Sequence, residues 1–310
     1  MDVDTLLLAY FLDEQQEDGE QIRFAVSAGP GAGWVPLSGG RPVLSSTVGE
    51  GGCRDPFLVR LADGDVALMA TDLRIWPNFP SDWQRAVRHG SRSIAVWHTS
   101  DLVNWSAPQL IEIAPVNAGN AWAPKAFWSE ERGAFLVFWA SALFSSEDRS
   151  EAEYQRILVA ETSDFVSFGS PSVYLDRGHD VIDVTFAREG DEWYRFSVDG
   201  APPIDGPLGY ITLEVGASLE DPAFRPVATG IGAPELARAE GPAITPRLGG
   251  AGWTLLLDEF GLRGYQAFET TTLKEPRWTH LGDTGLPSGA RHGSMLAISS
   301  AERERLLSAD

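Results

Sequence analysis

Short apolar runs of strand length recur along the chain, separated by clusters of Gly, Asp, Ser and Thr. One kind of run ends in a Ser/Thr/Asp turn that leads to an aromatic residue. It reads Ile94-Ala95-Val96-Trp97-His98-Thr99-Ser100-Asp101 on to Trp105, Leu158-Val159-Ala160-Glu161-Thr162-Ser163-Asp164 on to Phe168, and Gln266-Ala267-Phe268-Glu269-Thr270-Thr271 on to Trp278. Looser copies run from Phe24 to Trp34 and from Ile211 to Phe224. Alternation with period two and a polar turn at the end predict strands. A second apolar strand precedes each copy, over residues 5–11, 66–71, 134–140, 192–198 and 252–257. Ahead of four of these lie tight turns rich in Gly, most of them with acidic residues, such as Ala62-Asp63-Gly64-Asp65 and Arg188-Glu189-Gly190-Asp191, which is hairpin chemistry.

A third kind of run opens on a polar side chain. Arg54-Asp55-Pro56 precedes Phe57-Leu58-Val59, and Trp122-Ala123-Pro124 precedes Lys125-Ala126-Phe127-Trp128. Ile182-Asp183 precedes Val184-Thr185-Phe186, Glu240-Gly241-Pro242 precedes Ala243-Ile244-Thr245, and Arg291-His292-Gly293 precedes Ser294-Met295-Leu296. Successive spacings between Asp55, Trp122, Asp183, Glu240 and His292 are 67, 61, 57 and 52 residues. Four complete units therefore repeat. The fifth is split, because the run 294–299 lacks its second and third strands while the strand 5–11 lacks an opening one. Pairing these two would complete a fifth unit and remove a free sheet edge. The chain is expected to be all-β, a five-bladed β-propeller closed by N- and C-terminal strands, as one domain over residues 1–310. A short terminal helix is expected over 301–307. Two inserts, 73–92 and 143–155, exceed hairpin length. The first carries Arg74, Trp76, Phe79, Trp83, Arg88, His89 and Arg92, and is expected to wall a site.

Composition narrows the function. Hydrophobic residues make up 43% of the 310, a normal share for a globular core. A net charge of −20 argues against nucleic acid and against an anionic membrane surface. Cys53 is the only cysteine, so neither an intramolecular disulfide nor a multi-cysteine metal site is expected. The acidic start Met1-Asp2-Val3-Asp4 and the short apolar run after it do not form a secretory signal, and no run reaches transmembrane length. A soluble, cytoplasmic protein is expected. The 11 Trp are many for this length; most are expected in the core, and the surplus suits flat sugar faces.

In a propeller the first strand of each blade lies along the central channel, so the five starts should meet at one mouth. Asp55, Asp183 and Glu240 would gather there and push one another's pKa values apart. Glycoside hydrolysis by two carboxylates needs that arrangement, one group ionised and the other protonated. Each carboxylate taken singly is more often a turn at a strand start; the weight rests on three at equivalent positions of different blades. A calcium site is the alternative use of such a cluster.

In this order and at these spacings, the five starts resemble glycoside hydrolase family 43. That family comprises five-bladed propellers that remove arabinose, xylose or galactose from plant polysaccharides and oligosaccharides. Ala70-Thr71-Asp72-Leu73-Arg74-Ile75 and Ser100-Asp101-Leu102-Val103-Asn104-Trp105-Ser106 are similar to the family as well, and the resemblance covers residues 5–300. It implies an inverting single displacement with Asp55 as general base, Glu240 as general acid, and Asp183 raising and orienting the acid. An inverting pair is expected about 6.5–9.5 Å apart, with Glu240 the more desolvated member. No cofactor is required for this chemistry. The resemblance also implies a central ion, commonly calcium, which His292 would help to hold through water. One imidazole is a poor calcium ligand, and a core histidine bonded to backbone is the other reading.

Candidate substrate contacts are Arg54, Asp72, Trp122, Lys125 and Arg291. Arg54 is expected to pair with a carboxylate near Asp55 or to stand exposed, Trp122 to stack on a sugar or pack the channel, and Arg291 to bond sugar hydroxyls. Lys125 departs from the acidic residue usual in the family after Trp-Ala-Pro, and its charge could lower the pKa of a nearby carboxylate. The expected activity is that of an exo-acting α-L-arabinofuranosidase on side-chain sugars of oligosaccharides or polysaccharides. A β-xylosidase, a β-galactosidase and a non-catalytic sugar-binding propeller are the alternatives.

Overall fold

The computed structural model describes residues 5–29, 33–200 and 210–310. The acidic start at residues 1–4 and part of the loose copy between Phe24 and Trp34 lie outside the described residues. The first strands are β1 (Thr5–Phe11), β2 (Arg23–Ser27) and β3 (Trp34–Pro36). Next come β4 (Cys53–Arg60), β5 (Val66–Asp72), the helix α1 (Trp83–His89), β6 (Ser93–Thr99) and β7 (Gln109–Glu112). The third group is β8 (Trp122–Ser129), β9 (Ala134–Ala142), β10 (Gln155–Thr162) and β11 (Ser172–Leu175). The fourth is β12 (Val181–Glu189), β13 (Glu192–Asp199), β14 (Ile211–Gly216) and β15 (Arg225–Ile231). The chain ends with β16 (Glu240–Pro246), β17 (Trp253–Glu259), β18 (Gly264–Thr270), β19 (Thr279–His280), β20 (Arg291–Ile298) and the helix α2 (Ser300–Ala309).

These strands form five four-stranded antiparallel sheets, the first in the order β20-β1-β2-β3 and the others each from one group. The expected five-bladed propeller is therefore present, with its seam in the first blade. The innermost strands β4, β8, β12, β16 and β20 touch in a ring around the axis. Among the described residues no helix is long and apolar enough to cross a membrane.

The core is divided into five main parts, each shared by two neighbouring blades. Leu7, Ala9 and Phe24 of the first blade pack on Leu68, Ala70 and Trp97 of the second. Ala67 and Met69 of the second pack instead toward Val137 and Leu158 of the third. Alternate residues of β5 thus face opposite neighbours, as a strand of period two must. Both faces are covered, so all seven residues of β5 are buried and Val66 to Ala70 read as an unbroken apolar run. Equivalent cores lie between the third and fourth, fourth and fifth, and fifth and first blades.

The recurring Ser/Thr/Asp turn has the same four backbone bonds in the second and third blades. Thr99 Oγ1 accepts the N–H groups of Asp101 and Leu102, while Asp101 Oδ1 accepts those of Val103 and Asn104. Thr162 and Asp164 make the same four bonds to Asp164, Phe165, Val166 and Ser167. Leu102 and Phe165 adopt φ values of 67° and 57° there and are buried in the first two shared cores. Hydroxyl and carboxylate acceptors supply the local bonds that hold this unusual backbone.

The seam is pinned from several sides. β1 pairs with β20 from Thr5↔Ile298 to Phe11↔Arg291. Ser294 Oγ accepts the N–H of Leu58 at 2.9 Å, tying the closing strand to β4. The terminal helix is longer than the expected 301–307. A capping box between Ser299 and Glu302 starts it, and Glu302 also pairs with Arg60 at 2.9 Å. Leu306 of α2 enters the core between the first and second blades. Gly293 of β20 lies so close to β1 that an added Cβ would come within 1.9 Å of Ala9 O. Gly293→Ala is therefore expected to lower stability by about 3 kcal/mol or more in denaturant unfolding. Gly169→Ala, whose Cβ would have 3.6 Å of clearance, should change it by no more than about 0.5 kcal/mol.

Candidate active site at the channel mouth

Four innermost strands share one irregularity. Their pairing shifts register between Arg54 and Phe57, Trp122 and Lys125, Ile182 and Thr185, and Glu240 and Ala243. In each, the second residue has a left-handed backbone: Asp55 (φ 54°), Ala123 (52°), Asp183 (57°) and Gly241 (56°). A bulge of this kind re-aims side chains, and a non-glycine residue held there costs on the order of 1 kcal/mol or more, as at many functional sites. The three carboxylates were expected at equivalent positions, and this is corrected. Asp55 and Asp183 are equivalent to Gly241, whereas Glu240 stands one residue earlier, level with Arg54, Trp122 and Ile182. The reason is steric: a Cβ on Gly241 would lie 2.5 Å from Cγ of His292. The imidazole fills the space where a further bulge side chain would stand.

His292 Nδ1 lies 3.2 Å from Asp55 Oδ1 and 3.7 Å from Asp183 Oδ2. Thr71 donates to Asp55 Oδ2 at 2.7 Å and accepts the Ala123 N–H at 2.7 Å, so one hydroxyl links the second and third blades. Gly241 N–H donates to Asp183 Oδ2 at 2.9 Å. Burial alone would raise the pKa of Asp55, but the charge and hydrogen bond of His292, with Arg54 and Thr71, hold it well below the usual carboxylate range. Asp183 is raised instead, by burial and by the charge of Asp55, against His292, the Gly241 N–H and Lys125.

Glu240 belongs to a second charge network. Arg291 donates to Glu240 Oε1 at 2.6 Å, to Asp258 Oδ2 at 2.9 Å and to Glu14 Oε2 at 3.0 Å. Arg54 pairs with Glu20 at 3.3 Å and with the same Glu14 oxygen at 3.5 Å. Phe11 lies under both guanidiniums, at 4.8 and 5.4 Å, and Trp83 covers Arg54 at 5.0 Å. Two cations thus serve four carboxylates. Burial, opposed by Arg291 and reinforced by Asp258 and Asp183, pushes Glu240 up to about 8. Glu240 is not the most enclosed of the three acids, contrary to expectation: its side chain is 22% exposed against 13% for Asp55 and 8% for Asp183. Its place before the bulge sets it nearer the mouth.

The other candidates separate. Arg54 and Lys125 are 5% and 1% exposed, so neither offers its charge to solvent as a substrate contact would. Arg54 spans Glu14 and Glu20, and Lys125 Nζ lies 3.4 Å from Gly293 O. Asp72 is also enclosed: it accepts the Glu50 N–H at 2.8 Å and holds the turn before β4. Arg291 is 7% exposed, and its guanidinium is taken up by the three carboxylates. Trp122 stays half-buried, edge-on to Trp83 with ring centroids 6.1 Å apart. Trp83 opens α1, so the insert 73–92 stands against the bulge of β8. Arg88 of this insert bonds carbonyls of Arg149 and Glu151 in the insert 143–155.

Sequence reasoning missed Glu14, Glu20, Thr71, Asp258 and Tyr265. Tyr265 Oη lies 3.0 Å from Gly241 O and 3.2 Å from Gly293 O, bracing the two strands beside His292. The one available signal was the pair of arginines ahead of buried strands, each of which demands a buried carboxylate.

The side chains supply no set of direct ligands for the central ion. Among the described residues no three His, Cys, Asp or Glu side chains converge to hold a metal. His292 Nδ1 faces the two aspartates, and Nε2 is buried without a hydrogen-bond partner among the described residues. Calcium takes six to eight oxygen ligands, so an ion beside Nε2 would have to draw nearly all of them from water.

Residues 2–304 match a family described as a probable glycosyl hydrolase domain, related to family 43. An α-L-arabinofuranosidase of Bifidobacterium longum subsp. longum is 33% identical over 173 residues, which is 51% of this chain and 16% of that protein. The chain thus spans well under a fifth of the length of the curated relative it matches. Among solved structures, an α-L-arabinanase of Penicillium chrysogenum complexed with arabinobiose superposes with a TM-score of 0.60 at 16% identity, over 95% of this chain and 82% of that one. An α-L-arabinofuranosidase of Lactobacillus brevis gives 0.54 at 14% identity, over 80% and 75%. These two similarities show the fold.

Because the pKa of Glu240 is raised on folding, the folded chain holds an extra proton between its ordinary value of about 4.3 and about 8. Glu240 therefore costs stability as pH rises through that window. Glu240→Gln removes this slope, so its stability relative to wild type is expected to increase from pH 5 to pH 8 in denaturant titrations. Arg291→Met leaves Glu14, Asp258 and Glu240 without their shared cation. It should cost about 3–5 kcal/mol, and more at pH 8 than at pH 5.

Proposed function

Because the chain belongs to the family described as a probable glycosyl hydrolase domain, we propose that it is an inverting, exo-acting α-L-arabinofuranosidase. Asp55 is the general base, Glu240 the general acid and Asp183 the residue that tunes and orients the acid. The observation that carries this reading is the opposite treatment of two neighbouring carboxylates. Asp55 is locked in its ionised form by His292 and Thr71, while Glu240, beside an overcommitted arginine, keeps a proton at neutral pH. The half-exposed indole of Trp122, with Trp83 behind it, suits a sugar face at the same mouth. The name of the Bifidobacterium relative supports arabinofuranose as the sugar.

In this scheme Asp55 takes a proton from a water that attacks the anomeric carbon. Glu240 gives its proton to the leaving oxygen as the glycosidic bond breaks. The new Glu240 carboxylate is received by Arg291 at hydrogen-bond distance, and both acids regain their resting states by exchange with solvent. Asp183 adds negative charge that keeps Glu240 protonated before reaction.

Aryl α-L-arabinofuranoside, β-D-xyloside and β-D-galactoside should be compared with wild type, Glu240→Gln and Asp55→Asn. Turnover of the arabinofuranoside alone names the sugar, and proton NMR of the first product should show inverted configuration. Asp55→Asn is expected to lose about 10³-fold or more on every substrate. Glu240→Gln should lose as much on poor leaving groups and far less on a dinitrophenyl glycoside, which departs without a proton. The pH profile of kcat/KM should fall on its alkaline side near pH 8 and on its acid side below the ordinary carboxylate value of about 4. Asp183→Asn withdraws a charge that raises Glu240, so the alkaline limb should move to lower pH. Retained configuration, or no turnover while sugars still bind, would overturn the scheme.

A further inference from the structure

The channel below the carboxylates contains a charge that the proposed reaction leaves idle. Lys125 sits on β8 directly after the bulge and is 1% exposed. Its Nζ lies 3.4 Å from Gly293 O, on the closing strand, and 5.3 Å from the centroid of the Phe57 ring. Among the described residues no carboxylate bonds it directly. Asp55 of β4 and Asp183 of β12 act on it through space, and these are the two acids that face His292 of β20. Tyr265 of β18 lies on the same Gly293 carbonyl and brings no charge. Arg54 also acts on Asp55, but its own guanidinium is held by Glu14 and Glu20. An ammonium this deep loses its hydration and persists only where a negative field replaces it. Burial draws Lys125 down to about 8 while the two aspartates hold it up, which leaves it protonated at neutral pH.

We propose that Lys125 is the resident cation of the channel, a positioning residue whose ammonium balances the charge of Asp55 and Asp183 through space and replaces a bound divalent ion. The lack of a set of direct side-chain ligands around His292 then has a cause. A dication entering here would meet a fixed ammonium, and the charge it would neutralise is already neutralised. The protein is accordingly metal-independent. Only the kinetic consequence rests on Asp55 being the base; the metal-independence does not.

The test uses the full chain. Its metal content is measured by plasma mass spectrometry, and its melting temperature is compared in EDTA and in calcium chloride. Far less than one ion per chain and an unchanged melting temperature are expected. Lys125→Met should lower kcat at least ~tenfold with KM altered less than ~twofold. It should also move the acid limb of kcat/KM to higher pH, because Asp55 loses a cation. Lys125→Arg, which keeps the charge, should restore part of kcat. One tightly held ion per chain whose removal lowers the melting temperature would overturn the proposal. So would a Lys125→Met protein with wild-type kcat and pH profile. Should that variant not fold, the metal measurements on wild type and the arginine variant decide. Should no glycoside be hydrolysed by any form, the glycosidase reading fails, and the metal measurements still decide for or against Lys125.

Discussion

The charged contacts made by Arg291 and His292 at the mouth depend on the pairing of β20 with β1. That one ladder delivers Arg291 to Glu240, Asp258 and Glu14, and places the His292 ring between Asp55 and Asp183. The closing strand also supplies the carbonyl beside the Lys125 ammonium and the hydroxyl that anchors β4. Ring closure and site electrostatics are therefore one constraint. It explains the close fit of Gly293 against Ala9 O, since a looser seam would move both Arg291 and His292.

The charges divide into two groups with different balance. Around Phe11, two guanidiniums face Glu14, Glu20, Glu240 and Asp258, and burial together with the surplus negative charge lifts Glu240. Lower in the channel, Lys125 and His292 face Asp55 and Asp183, and there Asp55 is held ionised. Two carboxylates of one site thus receive opposite treatment from their surroundings, as acid and base chemistry at a single pH requires. The left-handed bulges make the division: Asp55 and Asp183 are turned onto the imidazole, while Glu240, one residue earlier, reaches the arginine.

The propeller was legible because its signals are local. Hairpin turns such as Ala62–Asp65, the Thr99–Asp101 and Thr162–Asp164 turns, and the polar strand starts each declare themselves within a few residues. The split fifth blade was legible as well, since neither 5–11 nor 294–299 could be a blade alone. What the sequence did not disclose was register at the starts. Nothing in Glu240-Gly241-Pro242 says that Gly241, and not Glu240, matches Asp55; a ring 51 residues further on decides it. Arg54, Asp72 and Lys125 looked like substrate contacts because polar residues near a mouth usually are, yet each is committed inward. Glu14 and Glu20, which meet Arg54, and Glu50, which meets Asp72, lie in turns with no periodic signature, and Lys125 meets a backbone carbonyl, so only the folded chain shows the match.

The five shared cores carry a further consequence for how the protein comes into being. No blade owns the apolar surface on both of its faces, so an isolated blade has little to gain from folding. The final ladder joins Thr5 to Ile298 and must overcome the loop entropy of nearly the whole chain. Until it forms, Asp55 and Asp183 have no imidazole between them and Glu240 has no arginine. A partly opened ring therefore lacks the arrangement that the proposed chemistry needs, and the docking of the closing strand completes it at one stroke.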